Sequence, residues 1–179
     1  MLSKPTKNDI FVTFDFNPRK VSIEYQREVI RKTLNRRKGL SDLSLRGEDY
    51  GLLVRALHTI GWLSVEKNKE AIDLVCELLS GDELDIPSKA CLVSELRGIK
   101  NKRVINILLD TLRTTKSDNR TRGLIKETLK TIASTRKKEL IGPLFEILDS
   151  KNLSYKMKDK VYTVIEILSG TSDLYYEWL

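Results

Sequence analysis

The sequence predicts an all-α fold in which a pair of helices is repeated three to four times. Apolar residues recur every three or four positions along most of the chain, which is the spacing of amphipathic helices and not of strands. The apolar positions of successive segments also align when the chain is shifted by 33 or 36 residues. Internal repeats of about 20–50 residues are typical of stacked architectures, so we expect an α–α superhelix.

The repeated unit contains two helices, because two families of segments share this step. In the first family, the aligned apolar positions are Ile60, Leu96, Leu129 and Ile165, and then Leu63, Ile99, Ile132 and Leu168. In the second family, 71–79 aligns with 104–112 and 140–148, which superimposes Val75 on Leu108 and Leu144. We expect helices at roughly 50–64, 67–80, 87–100, 102–115, 119–134, 137–149 and 154–169, with antiparallel neighbours.

Residues typical of helix ends support these ranges. The predicted N-caps are Ser88, Ser154 and either Ser117 or Asp118, since a short polar side chain accepts hydrogen bonds from the first turn. Gly81 and Gly170 follow their helices and are predicted left-handed C-caps.

The repeated pattern resembles HEAT or armadillo-type repeats over about residues 50–170. It is clearest where Leu-Arg-Gly-Ile at 96–99 is followed by Val-Ile-Asn-Ile-Leu at 104–108. The resemblance implies a HEAT-like α-solenoid whose second helices line the concave side. It implies a fold and no particular activity, because the pattern consists of apolar positions and not of reactive groups. A single helix pair buries little apolar surface alone, so the end units need caps.

The two ends of the chain depart from the repeat, and we divide it into 1–49, an arm with a capping helix, and 50–179, the repeat domain. Residues 11–16 alternate apolar and polar side chains, which predicts a short strand or extended arm. A helix over 21–38 is expected to cap the first repeat; alternatively, the arm adds to a partner's sheet edge. The aromatic tail 174–179 folds back over the last helix pair or docks on another protein.

Composition excludes several classes of protein. The 179 residues are 40% hydrophobic and 32% charged, which suits one ordinary domain with a buried core. No apolar run reaches the roughly 18 residues of a membrane span, and no signal peptide is evident. Two cysteines in apolar helical patterns, Cys76 and Cys91, favour a reducing cytoplasm. With one histidine, His58, expected near the packed face, we expect no metal site and no cofactor.

Charge is arranged in blocks within a net charge of +7. Residues 1–38 carry a net +6, 39–99 a net −5, 100–138 a net +9 and 139–179 a net −3. Such blocks attract partners of opposite charge. Aligning the units gives a candidate acidic row on the second helices, namely Glu77, Asp110 and Glu146, unless local pairs such as Asp110 with Arg113 neutralise it. A candidate basic row, expected on the outer side, consists of Lys89, Arg122, Lys126, Lys130, Arg136, Lys137, Lys138 and Lys158.

These observations favour a non-enzymatic scaffold that binds another protein through its charged faces. We find no glycine-rich phosphate loop, nucleophile turn or paired histidines, and therefore no candidate catalytic residue. The alternative is nucleic-acid binding through the basic block 100–138, which contacts phosphates but contains no aromatic residue for base stacking. By fold-level resemblance alone, a HEAT-like enzyme such as a DNA glycosylase or bilin lyase is a third alternative. Self-association through the aromatic ends is compatible with the scaffold, nucleic-acid and enzyme hypotheses alike.

Overall fold

A computed structural model describes residues 22–37 and 48–171, and within these ranges the chain is all-helical. The helices are α1 (Ile23–Arg37), α2 (Glu48–Val65), α3 (Lys69–Ser80), α4 (Ile86–Ser94), α5 (Lys102–Thr114), α6 (Arg122–Ser134), α7 (Ile141–Leu148) and α8 (Tyr155–Ser169). A 3₁₀ turn, Lys138–Leu140, leads into α7. The expected strand at 11–16 and the aromatic tail 174–179 lie outside the described residues. No described helix is both long and apolar enough to cross a bilayer.

The helices contact one another in two rows. In one row α2 contacts α4, α4 contacts α6, and α6 contacts α8; in the other, α3 contacts α5 and α5 contacts α7. Helix α1 packs against α2 and α3 and buries Ile23, Ile30 and Leu34, which continue the same apolar core. Helices that are neighbours in the sequence therefore belong to different rows, and equivalent helices lie side by side.

The aligned apolar positions form the core. Val75, Leu108 and Leu144 are each fully buried, one on each second-row helix. The first-row positions Ile60, Leu96, Leu129 and Ile165 are likewise buried. Burying an aliphatic side chain of this size stabilises the fold by about 1.5–3 kcal/mol relative to its exposure.

Hydrogen bonds between polar groups of neighbouring units also join the units. The Thr131 hydroxyl of α6 donates a hydrogen bond to the Val93 carbonyl of α4 at 2.8 Å, within the core. The Gly98 amide donates to the Ser134 hydroxyl at 2.8 Å, and the Asn152 side-chain amide donates to the Arg113 carbonyl at 2.7 Å. Such bonds are directional, so they specify the register between neighbouring units.

Most helices occupy the predicted ranges, and the differences occur at their ends. Helix α4 begins after Asp85, whose side chain caps it by accepting from the Ser88 amide; Ser88 is therefore not the N-cap. It ends at Ser94, before the turn that contains Gly98 at φ 84°. The predicted cap Asp118 lies three residues before Thr121, and α6 begins only after Thr121.

Of the two predicted glycine caps, one has the expected conformation. Gly170 is left-handed at φ 80°, which satisfies the last carbonyls of α8. Gly81 is extended at φ −83°, so its prediction was wrong. The N-caps of α3 and α5 are Asn68 and Asn101, whose side-chain oxygens accept from the first turn of each helix.

Candidate binding surfaces

The acidic row lies on the second-row helices, with Glu77 on α3, Asp110 on α5 and Glu146 on α7. Each carboxylate is within reach of an arginine. Arg27 of α1 donates from Nη1 to both Glu77 oxygens, at 2.6 and 2.8 Å, and this bond raises the pKa of the guanidinium. Arg113 bridges Asp110 and Glu146, at 3.1 Å to each. The predicted local pair of Asp110 with Arg113 is therefore present, and the row is largely charge-balanced.

The candidate basic row is divided between the two ends of the first-row helices. Lys89, Arg122 and Lys158 lie in the first turns of α4, α6 and α8. Arg136, Lys137 and Lys138 follow the other end of α6. At 1.5 Å per residue, the thirteen residues of α6 separate these two groups by about 18 Å. The eight residues therefore belong to two surfaces, and Lys126 and Lys130 lie between them on α6.

Three lysines of α6 and α8 lie close to one another. Lys160 is partly buried there, and its burial, together with nearby Lys126 and Lys130, lowers its pKa. Lys130 Nζ is 3.2 Å from Glu127, which also pairs with Arg97 at 3.0 Å. Lys160 was not predicted as a site residue. In the aligned sequence Lys160 occupies the position of Leu124, which is buried. A charged residue at an otherwise buried position is the signal by which the sequence could have indicated it.

One cavity contains a member of each predicted row. Lys89 and Asp110 both line a space of about 310 Å³ between α3, α4, α5 and α6. The Thr111 and Thr114 hydroxyls in its wall donate to carbonyls of their own helix, at 2.8 Å each. The cavity lies beside Arg113, is lined by both polar and apolar side chains, and offers threonine hydroxyls that are already engaged.

The turns that leave the first-row helices form a second charged surface, which we call the basic edge: 66–70, 95–103 and 135–139. These turns contain nine lysine and arginine residues and four carboxylates. The turns at the opposite edge, 81–85, 115–121 and 149–154, carry three cations against five carboxylates. The two edges therefore have net charges of +5 and −2. Lys137 Nζ donates to the Lys100 carbonyl at 3.2 Å, which shows that adjacent turns of the basic edge are in contact.

The reactive side chains are dispersed. His58 is exposed, contrary to the expectation that it lies near the packed face, and its Nδ1 is 2.7 Å from Glu95 Oε2. Desolvation raises the pKa of both thiols, Cys76 in the core and Cys91 partly buried, which disfavours the thiolate. Among the described residues, no three His, Cys, Asp or Glu side chains are grouped so that they could hold a metal.

No protein family, curated protein or solved structure matches the chain. The likeness to HEAT and armadillo repeats therefore depends on the pattern of apolar positions described above.

Proposed function

We propose that the protein is a non-enzymatic scaffold, built as a HEAT-like solenoid, that binds another protein through its second-row helices α3, α5 and α7. The solenoid arrangement is supported by the contacts between every second helix and by the hydrogen bonds that link residues of neighbouring units. A stack of this kind offers an extended surface, which suits a macromolecular partner.

The observation that carries the proposal is the exposure of Phe145 on α7. Its equivalents on the preceding second-row helices, Cys76 and Leu109, are 2% and 4% exposed, whereas Phe145 is 50% exposed. An aromatic ring buries a large area on contact and is enriched in the energetically important centres of interfaces. Phe145 therefore contributes little to the core, and burial by a partner would stabilise a complex.

The charges beside Phe145 indicate the chemistry of that partner. Glu146 is the next residue, Asp149 follows one turn later, and Asp110 lies across the Arg113 bridge. Arg113 pairs with Asp110 and Glu146, and Asp149 has no ion pair within the described chain, so the three carboxylates around Phe145 exceed their one arginine and the patch has a net negative charge. The partner segment we propose presents an apolar side chain to Phe145 and lysine or arginine to the carboxylates, which mainly orient its approach.

Site-specific photo-crosslinking tests this proposal. A photoreactive phenylalanine analogue replaces Phe145, and in a matched control it replaces Tyr25, an exposed aromatic residue on α1. In extract of the native cells, position 145 should crosslink a protein that position 25 does not, and Glu146→Lys together with Asp110→Lys should abolish the crosslink. If position 145 crosslinks no protein, or if charge reversal leaves the crosslink unchanged, the proposal is wrong.

A further inference from the structure

The basic edge contains a groove between two consecutive turns. Its volume is about 500 Å³, and it lies between the α2–α3 turn and the start of α5. Its charged lining consists of Lys67, Lys69, Lys100, Arg103 and Asp73. Arg103 Nη1 donates to Asp73 at 2.7 Å, which neutralises the carboxylate and leaves three lysines with a net charge of +3.

The groove is part of a longer row of lysines. Lys69 and Lys102 are the first residues of α3 and α5, and Lys138 begins the 3₁₀ turn before α7. In the second-helix alignment they are equivalent, at steps of 33 and 36 residues. All three are exposed, and none forms an ion pair with the described part of the chain. We call them the lysine column.

The spacing of this column suits a linear polyanion. Neighbouring packed helices lie about 8–10 Å apart, so the column extends over about 16–20 Å. Along the axis of a duplex, the phosphates of one strand recur every 3.4 Å or so, and each step of the column therefore corresponds to an axial rise of about three base pairs. A compact anion such as free phosphate would contact a single step. The column thus matches an extended phosphate backbone better than an isolated phosphate group.

We propose that the lysine column and the groove at its first step bind the phosphate backbone of duplex nucleic acid. No aromatic residue occurs in the turns 66–70, 95–103 and 135–139, so the surface lacks the rings on which single-stranded bases stack. Lysine contacts to phosphate position a duplex without reading its sequence. This site differs from the basic block 100–138: it includes Lys69, which precedes the block, and excludes Lys116 and Arg120, which lie at the opposite edge.

The test compares two variants of equal charge. Lys69→Gln/Lys102→Gln/Lys138→Gln removes the column, and Lys116→Gln/Lys151→Gln/Lys156→Gln removes three exposed lysines at or near the opposite edge; each lowers the net charge from +7 to +4. Binding of a fluorescent DNA duplex of about 20 base pairs is followed by anisotropy between about 50 and 200 mM salt.

Loss of three phosphate contacts should make the slope of log K against log salt less negative by about 2.7, because each contact contributes about 0.9. At about 0.1 M salt, binding should weaken on the order of 10²-fold. The control should stay within about threefold of the unchanged protein, as expected from net charge alone. Equal weakening of both variants, absence of duplex binding, or tighter binding of anionic vesicles than of DNA would overturn the proposal. The result is independent of crosslinking at Phe145, so either proposal can fail alone.

Discussion

Replacing Gly61 by alanine tests a close approach between neighbouring units. Gly61 lies on α2 and is buried against Glu95, where α4 ends. A Cβ atom at position 61 would lie 2.5 Å from the Cβ of Glu95 and 3.5 Å from the backbone carbonyl carbon of Glu95. Because the obstructing atom is close to the backbone, a rotamer change cannot remove the clash, and the two helices must move apart.

The expected magnitude is the difference between two effects. Overpacking of a buried site costs about 1–3 kcal/mol, and a 2.5 Å contact belongs at the upper end of that range. Alanine in a helix gains about 1 kcal/mol over glycine. We therefore expect Gly61→Ala to lower the free energy of unfolding by about 2 kcal/mol. For a chain of this length the melting temperature should fall by about 4–8 °C.

Gly51→Ala is the matched control, because it lies in the same helix. Its added Cβ meets only the end of the Arg55 side chain, at 3.8 Å, which is an ordinary contact. This variant should be about 0.5–1 kcal/mol more stable than the unchanged protein. Urea unfolding followed by far-UV circular dichroism measures both variants.

A compensating substitution makes the test specific. In Gly61→Ala/Glu95→Gly the opposing Cβ is absent, and a double-mutant cycle corrects for the lost His58–Glu95 contact. The coupling energy between the two positions should be about 3 kcal/mol in favour of the double variant, which is the cost of the clash. If Gly61→Ala is as stable as the unchanged protein, α2 and α4 do not approach as closely as described, and the reasoning is refuted.

Three further predictions concern stability and reactivity. Leu109→Ala should cost about 2–5 kcal/mol in urea unfolding, whereas the equivalent Phe145→Ala should cost far less, and equal losses would contradict the exposure of Phe145. Backbone amides of Thr121 and Arg120 donate to the Asp118 carboxylate and lower its pKa. The ionised carboxylate therefore stabilises the folded protein above the ordinary pKa of aspartate, and this stabilisation is lost as pH falls through the lowered value. Asp118→Asn should flatten this acid dependence of the melting temperature. Cys91 should be alkylated more slowly than a free thiol near neutral pH, because its pKa is raised; a rate equal to that of free cysteine would contradict this.

Much of the helical architecture could be predicted from the sequence, because apolar spacing reports directly on which residues a helix buries. The aligned apolar positions that include Leu108 and Leu129 are buried as expected. Helix ends were less predictable, since several short polar residues occur near each end and only the backbone geometry decides among them. Asn68 and Asn101 cap α3 and α5, but neither was recognised as a cap.

The binding surfaces were harder to predict, because alignment shows which positions are equivalent but not which other elements pack beside them. Glu77 is paired with Arg27, which is 50 residues away and reaches it only because α1 packs on α3. Arg136 and Arg122 were placed in one row, although α6 separates them. The equivalence of Lys69, Lys102 and Lys138 can be found in the alignment, but the sequence shows neither their exposure nor the groove at the first of them.

The central claim is that equivalent helices lie side by side, so that equivalent residues form rows on the surface. Spin labels on cysteines introduced at Lys69 and Lys138, in a chain whose own two cysteines are replaced, test it through a dipolar distance measurement. The account predicts one narrow distribution centred at about 16–20 Å, the separation of helices two steps apart in a row. A broad distribution, or a centre beyond about 35 Å, would contradict the stack and both surfaces derived from it.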